Sequence, residues 1–172
     1  PLSPAPRSAA ALVGGGSQSP GDRAGVHRLQ RHFGGLPPLV PIETEARGMV
    51  VLGRDGRGWR RLTGDGDGIE QCRVVEVSGE IATYGLHRLN HGLHYGGRAL
   101  APCKVSWQNE IRLRFAIKGA QGGQLRALFA QVGLAVVAIR RIRICKLALA
   151  KMPAGTWPYL PVAERFLRAR RR

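Results

Sequence analysis

The chain has 172 residues and 18.6 kDa, 44% hydrophobic and 22% charged, enough apolar material for about one folded domain and too much for a chain disordered throughout. Lys and Arg number 27 against 11 Asp and Glu, a net charge of +16, and removing the five arginines of the last eight residues still leaves 27 − 5 = 22 against 11. The body itself is therefore basic, which points to a polyanionic partner, nucleic acid first. No apolar run reaches the ~18 residues of a membrane span, and three separated cysteines (Cys72, Cys103, Cys145) without a CxxC exclude a disulfide framework or zinc ribbon and fit a reducing cytoplasm.

Residues 1–25, rich in Pro, Ala, Gly and Ser around Gly14-Gly15-Gly16, are expected to form a flexible leader. With no continuous apolar segment behind basic residues, they do not read as a secretory signal. Ordered sequence is expected from Val26 to Leu160. Met49-Val50-Val51-Leu52, between Gly48 and Gly53, reads as a buried strand. Asp55-Gly56 reads as a turn, Gly58 to Leu62 as one or two helical turns, and Thr63 to Gly68 as a loop. The Asp-Gly pairs of that loop lack the further ligands and the Glu of an EF-hand.

Ile69 to Val77 reads as a strand with Ile69, Gln71, Arg73, Val75 and Val77 on one face. Glu110 to Lys118 alternates more clearly, Ile111, Leu113, Phe115 and Ile117 facing one side and Arg112, Arg114 and Lys118 the other. Leu125, Leu128, Phe129 and Val132 recur at helical spacing, so Gln124 to Val132 reads as a helix stopped by Gly133. Leu134 to Leu147 reads as a strand carrying Arg140, Arg141 and Arg143. Pro161 is a plausible helix start, and residues 161–172 run into an Arg-rich tail suited to non-specific RNA contact. Strands and helices in this irregular order predict an α+β fold with a mixed or mostly antiparallel sheet.

Candidate chemistry is sparse. His87, His91 and His94 have no nearby carboxylate or cysteine to complete a metal site, and Arg88 stands where a zincin needs Glu, so no metal is expected. Glu43 and Glu45 precede Gly48 in a chain with few acids. They read either as a solvated loop pair or as a carboxylate presented to a basic cleft, for which Arg is the natural partner. The basic positions Arg112, Arg114, Arg140, Arg141 and Arg143 are either solvated strand faces or phosphate contacts; the scarcity of acids to pair with them favours RNA.

An ordered series of short motifs goes further. Asn90-His91-Gly92-Leu93, Gly97-Arg98-Ala99-Leu100, Lys104-Val105, Asn109 to Phe115, Gly123-Gln124-Leu125-Arg126, Val132-Gly133-Leu134, Arg141-Ile142-Arg143-Ile144 and Pro153-Ala154-Gly155-Thr156-Trp157 follow one another across Val26 to Leu160. As a set they resemble the C-terminal half of the bacterial ribosomal RNA pseudouridine synthases, a family that usually carries a small RNA-binding domain at its N-terminus. The resemblance implies a bent, mostly antiparallel mixed sheet with flanking helices and a basic cleft. It implies isomerisation of uridine to pseudouridine in structured RNA, ribosomal RNA first, without metal or organic cofactor. It also implies a monomer with RNA as partner and no membrane.

In that family a catalytic Asp follows Arg-Leu and precedes a Gly by five residues. Here the segment is Pro41-Ile42-Glu43 with Gly48, so Glu43 holds the Asp place and Pro41 the Arg place. The stacking Tyr of the strand is replaced by Arg73, which would line the base pocket, and the family's ion-pair Arg is kept as Arg126. The resemblance thus implies Glu43 as nucleophile or base, within ion-pair reach of Arg126. The alternative is a relative that kept the cleft and lost the chemistry, acting as an RNA-binding or ribosome-assembly protein.

Overall fold

The alternation in Arg112 to Lys118 sets the layering of the molecule. The computed structural model describes residues 9–40, 42–43, 45–54, 69–91, 93–100, 102–118 and 123–160. Along the chain run β1 (Arg47–Gly48), β2 (Glu70–Ser78), α1 (Gly85–His91), β3 (His94–Tyr95), β4 (Arg98–Ala99), β5 (Lys104–Asn109), β6 (Arg112–Lys118), α2 (Gln124–Ala130), β7 (Ala135–Ile144) and β8 (Leu147–Ala148). The main sheet has the order β1-β7-β2-β6-β5, with β8 also on β7, and β3 and β4 form a separate hairpin. Every pairing is antiparallel except β1 with β7. The predicted α+β class with a mixed, mostly antiparallel sheet is the one observed.

One face of the sheet is apolar because strand side chains alternate. Val75 and Val77 of β2, Leu113, Phe115 and Ile117 of β6 and Ile139 of β7 are buried there against Leu89 of α1 and Leu125, Leu128 and Phe129 of α2. Phe115 and Phe129 are both fully buried, with ring centroids 5.6 Å apart; burying each is worth about 1.5–3 kcal/mol. A smaller cluster of Val40, Met49, Val51, Ile69, Ile144 and Leu147 closes the β1 end. Gly133, at φ +83°, terminates the helical segment as expected.

Three elements differ from their sequence reading. The Met49–Leu52 strand is displaced: the sheet strand is Arg47–Gly48, while Leu52 makes a single bridge to Pro38, and Leu39 N–H donates to Val51 O at 2.8 Å. Its apolar side chains mark burial, but the partner is a neighbouring loop. Ile111 is 49% exposed, because Glu110 and Ile111 form the hairpin turn between β5 and β6. The long final strand folds back at Cys145 and Lys146, where Cys145 takes φ +49°, so Leu147 pairs antiparallel with Ile144.

Residues 9–25, expected as a loose leader, meet the far end of the chain. Gln18 bridges Trp157, the Trp157 indole N–H donates to Gly14 O at 3.0 Å, and Asp22 accepts from the backbone N–H of Tyr159 at 2.9 Å. Phe33, Trp157, Tyr159 and His32 pack edge to face around these bonds. The expected helical turns and Asp-Gly loop of 58–68, and the helix start and Arg tail of 161–172, lie outside the described residues.

Candidate functional site

Gly48 determines how the acidic segment reaches the sheet. A Cβ there would lie 2.2 Å from Arg141 O, and φ is +107°, so only glycine lets β1 lie this close to β7. Just upstream, the Ala46 N–H donates to Glu43 O at 2.9 Å, closing a tight turn. That turn sends the two acids apart. Glu43 leans onto β2 with its side chain 13% exposed, whereas Glu45 stays 74% exposed.

Under Glu43 lie two arginines with almost no exposure, Arg73 of β2 at 1% and Arg141 of β7 at 0%. Arg73 Nη2 stands 3.5 Å from Glu43 Oε1 and donates to Gln71 Oε1 at 3.1 Å. Arg141 donates from Nη1 to the same Gln71 oxygen at 3.1 Å, from Nε to Met49 O at 2.7 Å and from Nη2 to Val40 O at 3.2 Å. Burial lowers the pKa of Arg73, opposed by Glu43 and then Cys72. Burial and the charge of Arg73 push that of Arg141 down to about 10, with Glu43 opposing. Both Glu43 oxygens, and Nε and Nη1 of Arg73, are buried without a hydrogen-bond partner among the described residues. A covered carboxylate beside a cation, with its lone pairs uncommitted, is uncommon in a folded chain and marks a candidate functional group.

Glu43 lines a cavity of about 240 Å³ together with Glu45, Gly123, Leu125, Arg126 and Ile139. Arg126, on α2, lines the same cavity but does not pair with Glu43. Its Nη2 is bound by Glu45 Oε2 and its Nη1 donates to Val136 O at 2.8 Å. The expected Glu43–Arg126 pair is thus replaced by two pairs, Glu43–Arg73 and Glu45–Arg126, because the turn at Glu43 leaves only Glu45 reaching across to α2. Arg73 likewise does not line the base-sized cavity; at 1% exposure it lies beneath the carboxylate and has no open plane for stacking.

The remaining basic positions separate by face. Arg141 points inward, contrary to its expected phosphate-facing place. Arg112, Arg114, Arg140 and Arg143 stand in register with Glu76, Val74 and Cys72, on the side of the sheet opposite Arg73, so they do not surround the cavity. Two of them also have acids to pair with: Arg112 meets Glu76 at 2.9 Å, and Arg143 meets Glu70. His87 and His91 sit 5.1 Å apart, ring to ring, on α1, and His94 lies on β3. Among the described residues no group of three or more His, Cys, Asp or Glu is arranged to hold a metal ion, and no helix is long and apolar enough to cross a membrane.

Sequence reasoning singled out Glu45 but not its pairing with Arg126, and it missed the role of Gln71 and the inward turn of Arg141. Gln71 was on the inward parity of its strand, which is the signal that a polar side chain there needs buried partners.

This architecture has a counterpart. The crystal structure of a pseudouridylate synthase is similar over 76% of this chain, with a TM-score of 0.62 and 17% sequence identity. The fold is pseudouridine-synthase-like. The matched region spans 56% of that solved chain, just over half its length. No family model and no curated protein matches this sequence. On this pseudouridine-synthase-like fold, the cavity with Glu43 lies on the helix-bearing face of the sheet, at the start of α2.

Proposed function

We propose that the chain is an RNA pseudouridine synthase that isomerises uridine in structured RNA, ribosomal RNA being the leading substrate. One observation carries the reading: on a pseudouridine-synthase-like fold, Glu43, whose buried carboxylate makes no hydrogen bond to any described residue, lines a small cavity. The isomerisation breaks the N1–C1′ bond of uridine and joins the ring through C5–C1′, while C5 gives up a proton and N1 takes one. Glu43 is the group to attack or to take the proton, since its lone pairs are uncommitted. Arg73 acts as a positioning residue holding Glu43, and Arg126 with Glu45 forms the cavity's outer wall. At about 240 Å³ the cavity is smaller than the ~300–1,000 Å³ of drug-sized sites. It suits a single flipped nucleotide base, and an unpaired uridine avoids the few kcal/mol of unstacking.

A second reading has its own support. The described cavity lining contains no aromatic side chain to stack on a base, and Arg73, in the place of the stacking Tyr that the resemblance implies, is buried beneath the carboxylate. A relative that binds RNA without modifying it would have this form. Pseudouridine mapping of cellular RNA, with and without the gene, separates the two. A site lost on deletion, and restored by the natural chain but not by Glu43→Gln, supports the enzyme. No lost site, together with turnover gained by the double variant Glu43→Asp/Arg73→Tyr, makes the chain a relict binder. The two changes are made together because groups acting as a unit give non-additive kinetics.

A further inference from the structure

The side of the sheet away from the cavity carries more charge than the fold can use. Cross-strand register sets Ser106 beside Arg114, Arg114 beside Val74, Val74 beside Arg140, and Arg140 beside Arg47, a single row across five strands. Lys118, opposite Glu70, and Lys104, opposite Ala116, extend the same face. Glu70 and Glu76 are taken by Arg143 and Arg112. Arg47, Lys104, Arg114, Lys118 and Arg140 are exposed and have no ion pair with any described residue. Neighbouring strands lie about 4.8 Å apart, so these like charges repel one another unless an anion lies over them.

We propose that this outer sheet face is a second RNA-docking surface, which holds the phosphate backbone of a duplex arm while the loop uridine enters the cavity on the other side. The proposal rests on the reading of the substrate as structured RNA. The cross-strand row offers no aromatic side chain, the platform on which single-strand binders chiefly stack splayed bases. What it offers is a row of guanidinium groups, with the ammonium groups of Lys104 and Lys118 on the same face. That matches the phosphates beside the wide, shallow minor groove of an A-form helix, which proteins recognise by shape and backbone contact. The two faces of the sheet thereby divide the work: the backbone is gripped behind and the nucleotide is handled in front.

The test uses the full chain and the triple variant Arg114→Gln/Lys118→Gln/Arg140→Gln. Its probes are an RNA hairpin with a duplex stem and the same loop as a short single strand, titrated over a range of salt. For the hairpin, affinity is expected to fall at least tenfold and the slope of log K against log salt to shrink by about 2–3, roughly one unit per lost contact. For the isolated loop strand both quantities should stay near those of the natural chain. Arg114→Lys/Arg140→Lys, which keeps the charge, should retain hairpin affinity and so separates lost contacts from lost folding. Unchanged hairpin binding in the Gln variant overturns the proposal. So does equal loss for hairpin and single strand, or anionic phosphatidylserine vesicles competing as well as the hairpin. Hairpin affinity lost with the Gln variant, in a chain that forms no pseudouridine, would sink the enzymatic reading and leave this surface standing.

Discussion

Replacing Glu43 by Ala leaves two guanidinium groups, exposed by 1% and 0%, without the carboxylate that faces them. At the observed 3.5 Å and an effective dielectric of about 20, the attraction between Glu43 and Arg73 is on the order of 5 kcal/mol before any cost of desolvation. Breaking a buried pair by removing one partner typically costs about 3–5 kcal/mol. The Glu43 carboxylate makes no hydrogen bond to any described residue and the side chain is partly exposed, which moves the expectation down to about 2–4 kcal/mol. For a chain of this length that is a drop in Tm of roughly 5–15 °C. Urea unfolding followed by circular dichroism reads the free energy, and the midpoint should move without a change in slope. Glu43→Gln should lose most of the same stability, which assigns the loss to charge and not to a cavity. Adding Arg73→Met to Glu43→Ala should recover part of it, because Arg141 keeps its bonds to Met49 O, Val40 O and Gln71 and no longer faces a like charge. A single Glu43→Ala variant within about 0.5 kcal/mol of the natural chain would refute the view that this carboxylate neutralises the buried arginines.

Gly48→Ala should destabilise the fold by about 3 kcal/mol or more, since its Cβ would meet Arg141 O at 2.2 Å under a positive φ; thermal melts check this, and a neutral result would mean β1 can leave β7 at no cost. Burial raises the pKa of Asp22, but hydrogen bonds from Tyr159 N–H, Ala24 N–H and Gln18 outweigh it, leaving the value below the ordinary 3.8. A depressed carboxylate stabilises the fold above its unfolded pKa and loses that contribution as pH falls from 3.8 through the folded value. Acid should therefore loosen the Trp157–Tyr159 contacts first, read as a change in Trp fluorescence below about pH 4 that Asp22→Asn removes.

Much of the sheet was legible because alternation is strict where one face is buried. Leu113, Phe115 and Ile117 on one side, with Arg112, Arg114 and Lys118 on the other, fixed both the strand and its orientation. In β7 the same rule fails. Cys72 pairs with Arg143 and Arg73 with Arg141, so Ile142 is an extra residue and the parity of the strand changes across it. Arg141 and Arg143, two apart and alike in sequence, end on opposite faces for that reason, and no local pattern announces the bulge. The site was legible in its carboxylate and in the inward parity of Arg73, but not in its pairings. Which of Glu43 and Glu45 meets Arg126 depends on a turn of a few residues, and turn geometry is not written in charge or spacing.

The two faces of the sheet also sort the arginines by what could replace them over evolutionary drift. Arg140 and Arg114 offer exposed charge, and a lysine would supply the same charge at either position. Arg141 sends three different nitrogens to three acceptors on separate stretches of chain, at Met49, Gln71 and Val40. A lysine has one nitrogen at the end of a flexible stem and cannot span them. Relatives of this chain should therefore exchange Arg and Lys freely at 114 and 140, and at 141 show arginine alone, so that a column of aligned sequences would reveal the inward-facing position without any coordinates.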